Sequence, residues 1–110
     1  MSQKSTLIVF TSPAEGREDE YNDWYDNTHL AEFCAIPGVE SGRRYKLSPN
    51  GPKAAATYAA IYELSGDPAE VLKAFNAGIK DGSIHMTDAI DPKSVSMSAW
   101  DPIGNPVQSS

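Results

Sequence analysis

The sequence predicts an α+β fold, with strand, helix, strand, strand, helix and strand in order along 110 residues. Three observations carry this. Thr6 to Thr11 is an unbroken apolar, β-branched run ended by Ser12-Pro13, the pattern of a strand covered on both faces. Gly16 to Gly38 places aromatic side chains at helical spacing. Asp67-Pro68 opens a second apolar helical stripe that Lys80 and Gly82 close.

After the first strand comes the first helix. Tyr21, Trp24, Tyr25 and Thr28 fall at i, i+3, i+4 and i+7, a largely aromatic face. Glu18, Asp19 and Glu20 fill the first turn, where the helix dipole favours acids. Leu30, Phe33 and Ile36 make a second short stripe, stopped by Pro37-Gly38. Val39 to Leu47 alternates, with Val39, Ser41, Arg43, Tyr45 and Leu47 opposite Glu40, Gly42, Arg44 and Lys46. The turn formers Ser48-Pro49-Asn50-Gly51-Pro52 follow. Thr57 to Leu64 alternates again, with Tyr58, Ala60, Tyr62 and Leu64 on one face. The second helix carries the stripe Val71, Leu72, Phe75 and Ile79. Asp81 to Lys93 reads as a polar loop and Val95 to Trp100 as the last strand.

This order is the split-βαβ, ferredoxin-like βαββαβ arrangement, a four-stranded antiparallel sheet with both helices on one face. The first strand is apolar on both sides, so the second face is expected to be covered, most simply by a second copy of the chain. Residues 1–110 are expected to form a single domain, with tails at about 1–4 and 103–110.

The net charge of −6 and pI near 4.7 argue against a nucleic-acid surface and against docking on an anionic membrane. No apolar run approaches the ~20 residues of a membrane helix, and no export signal is apparent. Cys34 is the single cysteine, so no intrachain disulfide is available and a cytoplasmic setting is the default. Its neighbours Phe33, Ala35 and Ile36 suggest a buried, unreactive thiol.

His29 is the first candidate for chemistry. An imidazole can take or give a proton near neutral pH, and Asp26 at i−3 or Glu32 at i+3 can fix its tautomer. The competing reading is a helix-end histidine bonded to backbone carbonyls. Tyr25, in the same row, offers a pocket hydroxyl. Trp24 and Tyr21 suit either a pocket wall or the core, the core more readily. Arg43 and Arg44 point to opposite faces of a strand, so at most one can hold a substrate carboxylate or enolate from the helix side. Tyr62 and Trp100 are strand aromatics, for core or interface, and Tyr62 is also a candidate for substrate contact. His85 stands in a loop, and the two histidines lack metal-ligand spacing, so neither metal nor cofactor is expected.

The run Trp24-Tyr25-Asp26-Asn27-Thr28-His29-Leu30, then Ile36-Pro37-Gly38 before Arg43-Arg44-Tyr45, resembles the EthD-like branch of the dimeric α+β barrel superfamily. The resemblance covers the first helix and second strand in detail and the rest in element order. It implies a homodimer whose sheets pack face to face, and a pocket in each subunit between its own helices and sheet. The superfamily includes lactone isomerases, cyclases, cofactor-free monooxygenases, haem-degrading enzymes and accessory proteins. His29 is similar in position to the histidine of methylmuconolactone methylisomerase-like members.

The leading expectation is a cofactor-independent enzyme for a small hydrophobic or aromatic metabolite, of isomerase, lyase or cyclase type. His29 would be its acid/base beside Tyr25 and Asp26, with Trp24, Arg43, Arg44 and Tyr62 around the substrate. The alternatives are a non-catalytic accessory or ligand-binding protein and, third, a haem binder.

Overall fold

The computed structural model describes residues 4–109. The expected tails fall partly outside them, at 1–3 and 110. Strand β1 (Ser5–Thr11) leads into a helical arm made of α1 (Glu18–Trp24), a π-helical turn (Tyr25–His29) and α2 (Leu30–Cys34). Strands β2 (Val39–Lys46) and β3 (Tyr58–Leu64) follow, then α3 (Pro68–Asp81) and β4 (Ser96–Trp100). The sheet order is β2-β3-β1-β4 and every pairing is antiparallel. This is the ferredoxin-like α+β fold that the sequence predicts.

Alternation sorts each strand onto two faces. Leu7, Val9 and Thr11 of β1 lie opposite Tyr62, Ala60 and Tyr58 of β3, and all six are buried. Tyr21, Tyr25 and Phe33 of the arm and Val71 and Phe75 of α3 complete this core. The other face carries Ile8, Phe10, Ala59, Ile61, Tyr45 and Trp100, with Phe10 37% and Trp100 59% exposed.

A β-bulge at Val39/Ser41 lets Val39 share the helix-facing side with Gly42 and Arg44. The alternation read from sequence put Val39 with Ser41 and Arg43 instead. Gly42 faces the core because nothing larger fits. A Cβ there would stand 2.7 Å from Tyr62 Cδ1 and 2.8 Å from Cys34 Sγ. Gly42→Ala is therefore expected to cost about 1–3 kcal/mol through overpacking, read as a lower urea midpoint at unchanged slope.

Helix α3 has the ends its sequence specifies. Asp67 Oδ1 accepts from Ala69 N at 3.0 Å, Pro68 takes the first position, and Gly82 ends the helix at φ 85°. Asp67→Ala is expected to cost about 1 kcal/mol in the same denaturation measurement. The stripe differs at its end. Gly78 is buried and Ile79 is 37% exposed, because Ile84 folds back over Gly78. A Cβ on Gly78 would meet Ile84 Cδ1 at 2.6 Å.

The segment 81–93, expected to be a polar loop, supplies core. Ile84 and Ala89 are buried, and Pro13 and Ile90 form an antiparallel bridge. Asp91 N donates to Ser12 O at 2.9 Å, and Arg17 bonds Asp88 through both its carbonyl and its carboxylate. Residues 101–109 have no regular structure, and Ile103 and Val107 are 95% exposed. No helix among the described residues is long and apolar enough to cross a membrane.

Candidate active site

The helical arm builds the site through its π-helical turn. Leu30 N–H reaches back five residues to Tyr25 O. In an α-helix of 3.6 residues per turn, each four-residue step overshoots a full turn by about 40°. The wider turn takes up that overshoot, so Tyr21, Tyr25, His29 and Phe33, four residues apart, all bury. The predicted stripe ended instead on Thr28, which is only half-buried. The wider turn thus carries His29 from the edge of the arm into the core.

His29 is 5% exposed and enclosed by aromatic rings. Trp24 stacks on it with centroids 4.3 Å apart and planes at 19°. Tyr25 meets it edge-on at 5.1 Å, and Phe33 and Phe75 stand at 6.1 and 5.9 Å. His29 Nδ1 is buried and has no hydrogen-bond partner. A cavity of about 80 Å³ adjoins the ring. Its walls include Trp24, Tyr25 and Phe33 of the arm, Thr11 and Tyr62 of the sheet, and Phe75 of α3. Met86, Ile90, Val95 and Met97 close its outer side.

Burial pushes the His29 pKa down to about 4 from an ordinary 6.5, against a smaller opposing pull from Glu32. The imidazole is therefore neutral at pH 7. Above pH 6.5 folded and unfolded chains both hold it neutral, and it contributes no pH dependence. As pH falls from 6.5 to 4 the unfolded chain gains a proton that the folded one refuses. Stability should then drop, by about 3 kcal/mol in full below pH 4. Urea titrations between pH 4.5 and 7.5 should show this slope in the wild type and its loss in His29→Phe.

The other site candidates divide between the cavity and its outer side. Tyr62 lies in the cavity wall, fully buried, and its hydroxyl has no partner. Burial raises its pKa well above the usual phenol value, and burial with neighbouring Tyr21 pushes Tyr25 up to about 12. Trp24 lines the cavity while its Nε1 donates to His85 O at 2.9 Å.

Asp26 does not reach His29. It projects outward, where its carboxylate accepts from Arg44 Nη1 at 2.7 Å. Arg44 Nη2 donates to Asn22 Oδ1 at 2.7 Å, and the guanidinium carbon lies 4.5 Å from the Tyr25 ring centroid. Asp26 and Arg44 thus brace Tyr25 from behind, and neither lines the cavity. Arg43 is on the other face of the sheet, over Tyr45. Neither arginine stands where a cavity-bound carboxylate would meet it.

Glu32, also considered as a tautomer anchor for His29, binds the second histidine. Its carboxylate accepts from His85 N at 2.8 Å and lies 2.6 Å from His85 Nδ1. The His85 ring stays exposed. Cys34 is half-buried, and burial raises its thiol pKa, which disfavours the reactive thiolate. Among the described residues no three His, Cys, Asp or Glu side chains group as metal ligands.

Sequence reasoning left out the contribution of segment 82–95 and of Thr11, Phe33 and Phe75 to the cavity. Periodicity marks Phe33 and Phe75 as core, and nothing in sequence distinguishes core from a core residue beside a void.

No protein-family profile matches the chain, and none of the curated proteins does. Solved structures do. A candidate monooxygenase from Shewanella loihica PV-4 is 13% identical with a TM-score of 0.66, covering 96% of this chain and 99% of that one. An EthD family protein from Bacillus halodurans C-125 is 19% identical with a TM-score of 0.63, covering 91% and 99%. MhuD, a haem degrader of Mycobacterium tuberculosis with two haems bound in its active site, is 13% identical with a TM-score of 0.63, covering 94% and 99%. At these identities the likeness is one of fold, and it includes an EthD family protein, the group that the run from Trp24 to Leu30 and the Ile36-Pro37-Gly38 and Arg43-Arg44-Tyr45 segments resemble.

Proposed function

We propose that this chain is a cofactor-independent enzyme for a small hydrophobic or aromatic metabolite, acting as a homodimer. The reaction is proton transfer at a carbon beside a carbonyl, of isomerase, lyase or cyclase type, with His29 as acid/base. The observation that supports it is a neutral imidazole at an apolar cavity with Nδ1 unpaired. A buried polar atom without a partner costs about 1–3 kcal/mol, and such atoms call for a use.

A neutral imidazole has one lone pair and one N–H. It takes the proton from the substrate carbon and becomes a cation facing the enolate anion. The cavity disfavours an isolated imidazolium, but this ion pair forms together in the same low-dielectric space, where opposite charges attract strongly. Return of the proton to a different atom completes an isomerisation. Trp24 and Tyr25 hold the imidazole plane, and Asp26 acts at one remove, through Arg44 against Tyr25.

The second reading, an accessory protein that only holds its ligand, draws on the absence of any charged side chain from the cavity wall among the described residues. Incubation with a cyclic ketone in D₂O, followed by mass spectrometry, separates the two. Deuterium uptake above the solvent rate supports the enzyme. Binding without uptake leaves the accessory reading and ends the catalytic one.

Haem, which MhuD binds, does not fit these residues. The cavity of about 80 Å³ is far below the roughly 300–1,000 Å³ of sites for larger ligands. The wall holds no cation among the described residues, and Arg44, on the helix side of the sheet, is engaged by Asp26 and Asn22.

A further inference from the structure

Two buried polar atoms at the cavity lack partners, and they come from opposite walls: Tyr62 Oη from the sheet and His29 Nδ1 from the helical arm. Both residues are at least nine-tenths buried. Two other polar groups of the wall are engaged. The Thr11 hydroxyl pairs with Tyr21, and Trp24 Nε1 pairs with His85 O. The one other unpartnered buried side-chain atom among the described residues, Arg44 Nε, is not part of the wall.

We propose that the cavity selects a compact, uncharged aromatic or alicyclic molecule with a single carbonyl or phenolic oxygen, held between Tyr62 Oη and His29 Nδ1, and rejects carboxylates and phosphates. This rests on the site proposed above and names its substrate class. A phenol meets both atoms at once: its oxygen accepts from Tyr62, and its O–H donates to an unprotonated Nδ1. A ketone can only accept, so Tyr62 O–H holds its oxygen and unprotonated Nδ1 is left free to face its α-carbon. The raised phenol pKa keeps Tyr62 a donor throughout the working pH range. A carboxylate would be buried with no cation, a penalty that a neutral oxygen avoids. Met86 and Met97, exposed and unbranched, can swing aside to admit a ring larger than the resting space.

Phenol, anisole, toluene and benzoate, titrated by NMR at pH 7, test this. Phenol should bind about tenfold tighter than toluene, the worth of one or two neutral hydrogen bonds. Anisole, which accepts but cannot donate, should fall between them, and benzoate should not bind. Tyr62→Phe should reduce the advantage of phenol over toluene and leave toluene unchanged. If that variant fails to fold, the wild-type ranking alone decides. Equal binding of phenol and toluene, tightest binding of benzoate, or no binding by any of the four overturns the proposal. Its failure is distinct from that of the catalytic reading. The phenol preference without deuterium uptake by any ketone ends catalysis only. Deuterium uptake by a carboxylated substrate, lost in His29→Gln, ends the substrate class only.

Discussion

His29→Gln is expected to slow deuterium uptake by a cavity-bound ketone by about 10²–10⁴-fold with the fold intact, the range for loss of a general acid/base. Glutamine keeps a similar volume and a polar tip but cannot take the proton. The loss should therefore fall on kcat and leave KM much less changed, the pattern of an interaction made in the transition state. The pH profile gives a second signature. With burial holding His29 near pKa 4, kcat/KM should keep its acid plateau down to about pH 4, where a solvated histidine would already fail near 6.5. Equal rates in the wild type and His29→Gln, at matched urea midpoints, would remove His29 from the mechanism.

Elements whose signals are local were legible in the sequence. Asp67, Pro68 and Gly82 each act within a turn of the helix end they define, and α3 runs between them as expected. The alternation of Tyr58, Ala60, Tyr62 and Leu64 matches a strand buried on one face, and the burial agrees at all four. What was not legible depends on partners distant in sequence. Asp26 lies three residues from His29, yet Arg44 draws its carboxylate outward. Glu32 lies three residues on the other side, and its carboxylate is taken by His85, 53 residues away.

The π-helical turn was hidden for a related reason. A 3.6-residue template assigns Thr28 to the aromatic stripe, and only packing against β3 and α3 favours the wider turn that buries His29 in its place. Segment 81–93 looked solvated by composition because its four apolar residues, Ile84, Met86, Ala89 and Ile90, follow no regular period. Backbone bonds to Ser12 and Ala14 and the Glu32–His85 contact fix where they point.

The protein is expected to sediment as a dimer, at twice 11.9 kDa, across micromolar dilution. The helices cover the Leu7 and Val9 side of the sheet and leave Ile8, Phe10, Ala59 and Ile61 at the middle of the other, with Tyr45 and Trp100 toward its two edges. Monomeric soluble proteins rarely expose so continuous an apolar face. A two-fold dimer would set each Ile61 close to the same patch of its partner, since such an interface is self-complementary. Ile61→Asp then places two carboxylates in that contact, where Arg43, its cross-strand neighbour, offsets each only in part. The dissociation constant should rise by at least about 10³-fold, some 4 kcal/mol. Because assembly and folding are linked in such dimers, the wild-type urea midpoint should rise with protein concentration, and the variant should be unfolded or far less stable at equal concentration. Ile61 lies on the face away from the cavity, so a variant that sediments as a folded dimer with an unchanged midpoint would place the contact elsewhere. A wild type that stays folded at 11.9 kDa on dilution would leave the apolar face without the partner its composition calls for.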